Sequence, residues 1–241
     1  MKGYKLIRGV YQTLLPEVVR DGVYRWSPGP IKSLKRAAVA MLERDAAHDD
    51  IYDAAYYAKF VEPTMQLSAR AMAQSIVSEL SPRSVVDVGC GTGVLLEHLR
   101  SKGIDVSGLE LADAAIATCI KRGLSVRKFD IEHDSPPEFH ADVVISTEVA
   151  EHLPERCSDR FVDLLCGIAD TVVLTAATPS QGGTDHVNEQ PNEYWIAKFA
   201  ARGRQFDREL SHRWRDEWKS AGVAACFWNS VMVFRRDTPA A

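Results

Sequence analysis

The chain has 241 residues, of which 46% are hydrophobic, and its formal net charge is −4. This size fits one α/β domain with an extension, and the charge excludes a molecule-wide positive field that would attract nucleic acid. No run of 18 apolar residues occurs, which excludes a membrane-spanning helix. Five scattered cysteines and an N-terminus without the apolar core of a signal peptide predict a reduced, cytoplasmic protein without a zinc site.

The first 50 residues predict a basic helical extension ahead of a domain at 51–241. Residues 1–44 hold nine Lys or Arg against three Asp or Glu, whereas the rest of the chain carries a net charge of −10. Within this segment, the pattern at 31–42 predicts a basic helix. A solvated arm or a homodimer contact is the favoured interpretation, and attraction to an acidic surface or polyanionic acceptor is the alternative.

Residues 51–80 predict helical structure that leads into the domain. Four aromatic residues lie here, and most of this cluster is interpreted as packing: Tyr52, Tyr56, Tyr57 and Phe60. The helix that starts near Ser68 is expected to end at Ser81-Pro82, because proline disfavours helical geometry in the residue before it.

A glycine-rich turn follows the first predicted strand, 84–88. Gly89, Gly91 and Gly93 come next, and a helix is predicted over about 92–102. A strand, a tight turn and a helix start bring backbone amides close to a ligand. A dinucleotide fingerprint would need a glycine at Val94, and no Walker ending is present, so an αβ turn without a ligand is the remaining alternative.

Strands and helices then alternate to the end of the chain. Further strands are predicted at 104–109, 124–129, 141–147, 171–176, 204–209 and 227–235. Helices are predicted at about 112–122, 155–169, 191–202 and 214–221. This alternation predicts a parallel sheet with helices on both faces, with ligands outside the carboxyl ends of the strands.

The pattern Asp-x-Gly-x-Gly-x-Gly at 87–93 resembles motif I of the class I S-adenosylmethionine (AdoMet) methyltransferases. The resemblance implies a Rossmann-like α/β fold with a mostly parallel seven-stranded sheet that closes with an antiparallel hairpin. It also implies AdoMet as cofactor, with Glu110 on the ribose, Asp130 on the adenine amino group and Ile131 on the ring. The complete set of expected cofactor contacts is Tyr57, Asp87, Gly89, Cys90, Gly91, Glu110, Leu111, Asp130, Ile131, Thr147 and Glu148.

The stretch after the fourth strand carries two carboxylates and an imidazole. The spacing Glu-x-x-Glu-His predicts that Glu148, Glu151 and His152 lie on one side of a helical turn. With His186 from the loop at 178–190, they could hold a hard divalent cation such as Mg²⁺. The alternative is that Glu148 touches the AdoMet ammonium and that His152 is a general base or a capping group without a metal.

The Glu-x-x-Glu-His motif and His186 together resemble the small-RNA terminal 2′-O-methyltransferases of the Hen type, and also the ubiquinone-pathway O-methyltransferases. The loop Gly-Gly-Thr-x-His-Val-Asn-Glu-Gln at 182–190 resembles bacterial methyltransferases of glycan and natural-product clusters. These resemblances imply an O-methyltransferase with His152, His186 and Glu148 in catalysis. A small hydroxylated acceptor is expected, with a saccharide favoured and nucleic acid disfavoured by the acidic domain. The alternatives are an RNA 2′-O-methyltransferase and a non-catalytic AdoMet-binding partner subunit.

Overall fold

The structure is a computed structural model that describes residues 48–138 and 140–236. The chain divides into two units after Ile51. Within the first unit, the described part is the short helix His48–Ile51. The basic helix expected at 31–42 lies outside the described residues, so the N-terminal extension stays a prediction.

A seven-stranded sheet forms the centre of the second unit, in the order β3-β2-β1-β4-β5-β7-β6. Its strands are β1 (Ser84–Val88), β2 (Asp105–Glu110), β3 (Ser125–Lys128), β4 (Val143–Thr147), β5 (Thr171–Thr175), β6 (Arg204–Phe206) and β7 (Met232–Arg236). The first five strands pair in parallel, whereas β7 runs antiparallel to β5 and β6. This topology confirms the mostly parallel seven-stranded sheet. Its last two strands pair antiparallel as expected, but residues 207–231 separate them, so they are not joined as a hairpin.

Helices connect these strands. They are α1 (Glu62–Leu80), α2 (Val94–Ser101), α3 (Asp113–Lys121), α4 (Ser158–Ile168), α5 (Asn192–Ala200), α6 (Arg208–Ser220) and α7 (Ala225–Ser230). Shorter helical turns cover Ala54–Tyr56, Tyr57–Val61, Ala150–His152 and Glu155–Cys157. Among the described residues, no helix is both long enough and apolar enough to cross a bilayer.

Several element boundaries differ from the sequence expectation. Helix α1 starts at Glu62 rather than near Ser68, and α6 starts at Arg208 rather than at 214, which leaves β6 shorter than the expected 204–209. Helix α2 begins at Val94 because Gly93 has a φ of +79°, a left-handed conformation that cannot continue a helix. The final strand was expected at 227–235, but the chain first forms α7, and β7 begins only at Met232. The apolar run around Phe227 suits a buried short helix as well as a strand, since both bury such residues.

Alternate residues of the strands pack against different helices. Val85 of β1 belongs to a core with Met72 of α1 and Trp214 of α6. Val86 belongs to a second core with Phe161 of α4. Because side chains alternate across a strand, this division confirms helices on both faces of the sheet.

The parallel pairing brings the carboxyl ends of β1, β2, β4 and β5 to one side of the sheet, called here the carboxyl edge. Gly89 follows β1 at this edge, and Glu110 ends β2. Thr147 and Thr175 end β4 and β5 and are paired in register. The segments that follow these four strands therefore form the region in which the predicted site residues can meet.

Candidate functional site

The glycine turn is built so that backbone lies at its surface. Gly89 and Gly91 have φ values of +76° and +54°, and the amide of Gly89 donates to the carbonyl of Leu109 on the neighbouring strand at 2.8 Å. A Cβ at position 91 would lie 3.7 Å from the ring of Tyr57, which covers the turn. The turn therefore links the carboxyl end of β1 to β2 and leaves its backbone groups beside the Tyr57 ring.

Glu110 is oriented by backbone amides. One carboxylate oxygen accepts from Gly91 at 2.7 Å, and the other accepts from Leu111 and Ala112 at 2.8 and 2.9 Å. Hydrogen bonds of this kind favour the ionised carboxylate and fix its position. The residue expected to bind the ribose is therefore held at the carboxyl end of β2, directly beside the glycine turn.

Asp87 is a buried acid whose charge is not compensated within the described residues. Its side chain is 2% exposed, and its Oδ1 accepts no hydrogen bond from the described part of the chain. Burial, together with the charge of Glu110, raises the pKa of Asp87 to about 8. A cationic ligand at this position would offset the cost of the buried oxygen.

Two expected cofactor contacts have side chains that are engaged elsewhere. The Cys90 side chain packs with Leu96 and Cys119 inside the protein, so only its backbone remains to contact a ligand at the turn. The Asp130 carboxylate accepts from the amide of Glu132 at 2.8 Å and lies 2.9 Å from Nδ1 of His133. Asp130 therefore caps its own loop, and its role at adenine stays a prediction.

Three further expected contacts lie at or just after the carboxyl ends of strands β2, β3 and β4. Leu111 directly follows Glu110, and Thr147 ends β4. Ile131 is partly buried against the core that contains Phe161. These positions agree with the expected chain order of the site, but their contacts with a cofactor stay predictions.

A second group of polar side chains lies after β4 and β5. Glu151 and His152 belong to the helical turn Ala150–His152, and His186 lies in the loop after β5. One ligand atom from each of these three residues lies within 4.8 Å of the others. They are called the acidic–histidine cluster below.

Glu151 is the buried member of this cluster. Its side chain is 0% exposed, and neither carboxylate oxygen has a hydrogen-bond partner among the described residues. Burial and the charge of Glu148 raise the pKa of Glu151 well above its ordinary range. A carboxyl group in this state suits either a bound cation or a retained proton.

Glu148 does not share a helical face with Glu151 and His152, which corrects the expectation from spacing. Its φ of +55° interrupts helical geometry before the turn begins. Its carboxylate accepts from Oγ1 of Thr175 at 2.9 Å and from Nε2 of Gln181 at 2.7 Å. Burial raises the pKa of Glu148 to about 7, although these hydrogen bonds oppose the shift. The structure thus brings together three of the four predicted metal ligands, with Glu148 beside them.

The loop after β5 is attached to the helical turn. The backbone carbonyl of Glu151 accepts from the amides of Val187 and Asn188 at 2.9 and 3.0 Å. The buried Asn188 side chain also donates to Ser158 at 3.2 Å. These bonds explain why His186 lies beside Glu151, although 35 positions separate the two residues in the sequence.

Sequence reasoning missed three residues that contact the cluster. The Tyr52 hydroxyl lies 3.0 Å from Nδ1 of His152, and the backbone carbonyl of Asp185 lies 3.2 Å from the same atom. Glu189 lies 3.1 Å from Nδ1 of His186. The three-residue spacing of His186 and Glu189 is a local signal that could have indicated their pairing, whereas Tyr52 carries no such signal.

Replacing Gly89 by alanine tests the close approach at the turn. The new Cβ would lie 2.3 Å from Cγ2 of Val149, and the φ of Gly89 is unfavourable for alanine. Gly103→Ala is the matched control, since Gly103 has a φ of +84° and no atom within 4 Å of its Cβ position. We expect Gly89→Ala to be less stable than Gly103→Ala by about 1–2 kcal/mol in urea unfolding. Equal stabilities would show that Val149 moves aside without cost.

Asp87→Asn tests the buried acid through pH. The pKa of about 8 lies above the ordinary value of 3.8, so the folded protein retains a proton that the unfolded chain releases between those pH values. The wild type therefore loses stability as pH rises through this window, and the variant does not. We expect Asp87→Asn to be more stable than the wild type by about 1–2 kcal/mol at pH 8, with little difference near pH 4.

Urea unfolding at the two pH values measures this difference. Asp142→Asn provides a control of opposite sign, because hydrogen bonds from the amides of Arg83 and Ser84 lower the pKa of Asp142. That variant should lose stability at neutral pH relative to the wild type. A stability difference for Asp87→Asn that does not change with pH would contradict the raised pKa.

Comparisons with known proteins agree with this geometry. The profile of the family described as "Methionine biosynthesis protein MetW" matches residues 70–178. The ubiquinone biosynthesis O-methyltransferase of Nitrosomonas europaea is 35% identical over 91 residues, which cover 34% of this chain and 38% of that protein. The chain thus spans about two fifths of the length of this curated relative.

Solved structures share the fold at low sequence identity. The sugar N-methyltransferase KedS8 from Streptoalloteichus sp. superposes with a TM-score of 0.59 at 16% identity, covering 80% of this chain and 95% of that one. The magnesium protoporphyrin IX methyltransferase from Synechocystis, solved with bound SAM, gives a TM-score of 0.53 at 15% identity, covering 74% and 85%. The architecture described above is therefore that of these proteins.

Proposed function

We propose that this chain, a member of the class I AdoMet-dependent methyltransferases, transfers the methyl group of AdoMet to a hydroxyl group of a small acceptor. A saccharide is the favoured acceptor, and Mg²⁺ is the proposed assisting ion. The observation that carries the proposal is the acidic–histidine cluster, which lies at the same carboxyl edge as the glycine turn. The name of one similar protein, an O-methyltransferase, supports a hydroxyl acceptor. The name of another, a sugar N-methyltransferase, supports a saccharide.

The residues around the glycine turn suit AdoMet. When bound, AdoMet supplies a methyl group that is already activated for transfer. The uncompensated Oδ1 of Asp87 suits the ammonium of the methionine end, and the oriented Glu110 carboxylate suits the ribose hydroxyls. Tyr57 would cover the cofactor beside Gly91. These residues bind and orient the cofactor so that transfer becomes a matter of positioning.

The acidic–histidine cluster suits a divalent cation. The carboxylate of Glu151 is fully buried without partners among the described residues, and two imidazoles lie within 4.8 Å of it. A bound Mg²⁺ would supply a Lewis acid that lowers the pKa of an acceptor hydroxyl. Glu151, His152 and His186 would hold this ion, and Glu148 would support Glu151 from the side of Thr175.

The histidines also provide a route for the acceptor proton. A hydroxyl must lose its proton as its oxygen attacks the methyl carbon, and a neutral imidazole within hydrogen-bond reach can accept it. His152 and His186 lie with their ring centroids 5.0 Å apart, so one acceptor hydroxyl could contact either ring. A ring whose lone pair binds a metal could not accept this proton, so the histidine route applies where no metal occupies that nitrogen.

The test is a methyl-transfer assay with isotopically labelled AdoMet. The acceptor panel contains a hydroxylated glycoside, the corresponding amino sugar, a polyphenol and a short RNA with a free 3′ end. We expect label in the glycoside or polyphenol hydroxyl, loss of turnover with a chelator and recovery with Mg²⁺. Turnover that is unchanged in chelator would show that the reaction needs no metal and would leave a histidine as the sole base.

The other acceptors and a binding control test the alternatives. Transfer to RNA alone would replace the small-acceptor proposal by an RNA 2′-O-methyltransferase, and transfer to the amino sugar alone would make the enzyme an N-methyltransferase. AdoMet binding by calorimetry without turnover on any acceptor would favour a non-catalytic partner subunit. Each of these results contradicts the proposed O-methylation of a small acceptor.

A further inference from the structure

The two imidazoles of the acidic–histidine cluster are both held through Nδ1. Nδ1 of His152 lies 3.2 Å from the backbone carbonyl oxygen of Asp185 and 3.0 Å from the hydroxyl of Tyr52. A carbonyl oxygen can only accept a hydrogen bond. The proton of a neutral His152 therefore belongs on Nδ1, since an unprotonated Nδ1 would face the carbonyl lone pairs at this distance.

The Tyr52 hydroxyl completes a consistent chain of donors. Its oxygen can accept from Nδ1–H of His152, and its own proton then points to the Asp185 carboxylate, 3.5 Å away. The ring planes of Tyr52 and His152 stand at 90°, with centroids 5.9 Å apart, so packing also restrains the imidazole. Asp185 thus acts on His152 through its backbone carbonyl and, by way of Tyr52, through its side chain.

His186 has a separate partner of the same chemical kind. Its Nδ1 lies 3.1 Å from Oε1 of Glu189, and the Glu189 carboxylate also accepts from the amides of Ser180 and Gly182 at 2.9 and 2.6 Å. The two amides fix the position of the carboxylate that contacts the imidazole. Because a carboxylate only accepts, the proton of a neutral His186 also belongs on Nδ1.

Gly183 adds a steric element to this arrangement. A Cβ at position 183 would lie 2.1 Å from Nε2 of His186, so glycine leaves the room that the ring occupies. The loop therefore holds His186 by the hydrogen bond at Nδ1, and the missing side chain of Gly183 leaves space beside Nε2.

We propose that Tyr52, Asp185 and Glu189 are positioning residues that hold His152 and His186 in the Nδ1–H tautomer, so that each ring carries its lone pair on Nε2. That form is the one that a general base or a metal ligand requires. The tautomers are a property of the folded chain, whereas their use in methyl transfer rests on the proposed function above.

The test is a two-bond ¹H–¹⁵N correlation spectrum of the full chain labelled with ¹⁵N in its histidine rings. His152→Gln and His186→Gln assign the two resonance patterns by their disappearance. We expect both wild-type patterns to be those of the Nδ1–H tautomer. A wild-type spectrum with either ring in the Nε2–H form would overturn the proposal without any variant.

Two variants test the two histidines separately. Tyr52→Phe removes one of the two groups at Nδ1 of His152 and leaves the Asp185 carbonyl, so we expect a larger Nε2–H fraction for His152 while His186 keeps its pattern. Glu189→Gln should do the reverse, since the neutral amide can also donate to Nδ1. Tyr194→Phe and Glu193→Gln are the matched controls and should alter neither pattern. Unchanged tautomers in both Tyr52→Phe and Glu189→Gln would contradict the positioning role.

Kinetics then link the tautomers to the reaction. We expect Tyr52→Phe and Glu189→Gln each to lower kcat by about 10–100-fold, the range typical for residues that orient such ligands. The AdoMet dissociation constant should stay unchanged in calorimetry. A failed methyl-transfer assay with the expected spectra would refute the proposed function and leave the tautomer assignment in place. Wrong tautomers in an active enzyme would refute this inference alone.

Discussion

Replacing Glu151 by glutamine is expected to lower the rate of methyl transfer at least ~100-fold while AdoMet affinity stays within about tenfold. The substitution keeps the shape of the side chain. It removes the carboxyl group that would bind a cation or carry a proton beside His152 and His186. Burial and the charge of Glu148 raise the pKa of Glu151, so the wild type carries the cost of a buried carboxyl that glutamine removes, and we expect the variant to be no less stable at neutral pH. Steady-state turnover, AdoMet calorimetry and urea unfolding measure the three quantities.

Glu155→Gln is the matched control for this experiment. Glu155 begins the next helical turn and is exposed, so its loss should change none of the three quantities. Full activity of Glu151→Gln would show that the acidic–histidine cluster is structural. A loss of activity that accompanies a loss of stability would likewise remove Glu151 from the mechanism.

Replacing Glu110 by glutamine is expected to weaken AdoMet binding by about 1.5–3 kcal/mol, which is a factor of roughly 10–150. The carboxylate is oriented by the amides of Gly91, Leu111 and Ala112, and it would accept hydrogen bonds from the ribose diol. Glutamine retains one accepting oxygen but lacks the charge and presents an NH₂ group to the backbone donors. Calorimetric titration of the folded variant with AdoMet measures the change.

Asp105→Asn serves as the control at the other end of the same strand. Asp105 begins β2 and is exposed, so removing its charge changes the strand without changing the carboxyl edge. We expect its AdoMet affinity to equal that of the wild type. Equal affinities for Glu110→Gln and Asp105→Asn would mean that the ribose binds elsewhere.

The sheet could be predicted from the sequence because its signals are local. Val85, Val86 and Val88 form a β-branched run, and glycines end the following segments at Gly103 and Gly123. Such runs repeat at the spacing of a βα unit, which fixes the parallel order without any tertiary information. The helix α7 was missed because a short apolar segment has no period that separates a helix from a strand.

The site could be predicted only in part. Glu151, His152 and His186 were named from their spacing and from the end of β5, and the structure brings them together. The expected position of Glu148 on the helical turn was wrong, because the left-handed φ of a non-glycine residue leaves no signal in the sequence. Tyr52 was interpreted as packing because its contact with His152 spans 100 positions, and only the folded chain reveals it.

Cys90 illustrates a further limit of sequence reasoning. Its position inside the glycine turn predicts a cofactor contact, and that prediction now concerns its backbone, because its sulfur lies in the core beside Leu96 and Cys119. The missing side chain of Gly108 makes room for it, since a Cβ there would lie 2.6 Å from the Cys90 sulfur. A residue's place in a motif therefore predicts where its backbone lies better than where its side chain points.

The most direct test of the central claim is a crystal structure of the full chain with S-adenosylhomocysteine. We expect the ribose on Glu110, the ammonium beside Asp87 and the sulfur at the glycine turn, facing Glu151, His152 and His186. In that position an acceptor hydroxyl at the cluster would be aligned with the transferred methyl group. A sulfur that faces away from the cluster, or a cofactor bound outside the carboxyl edge, would contradict the account.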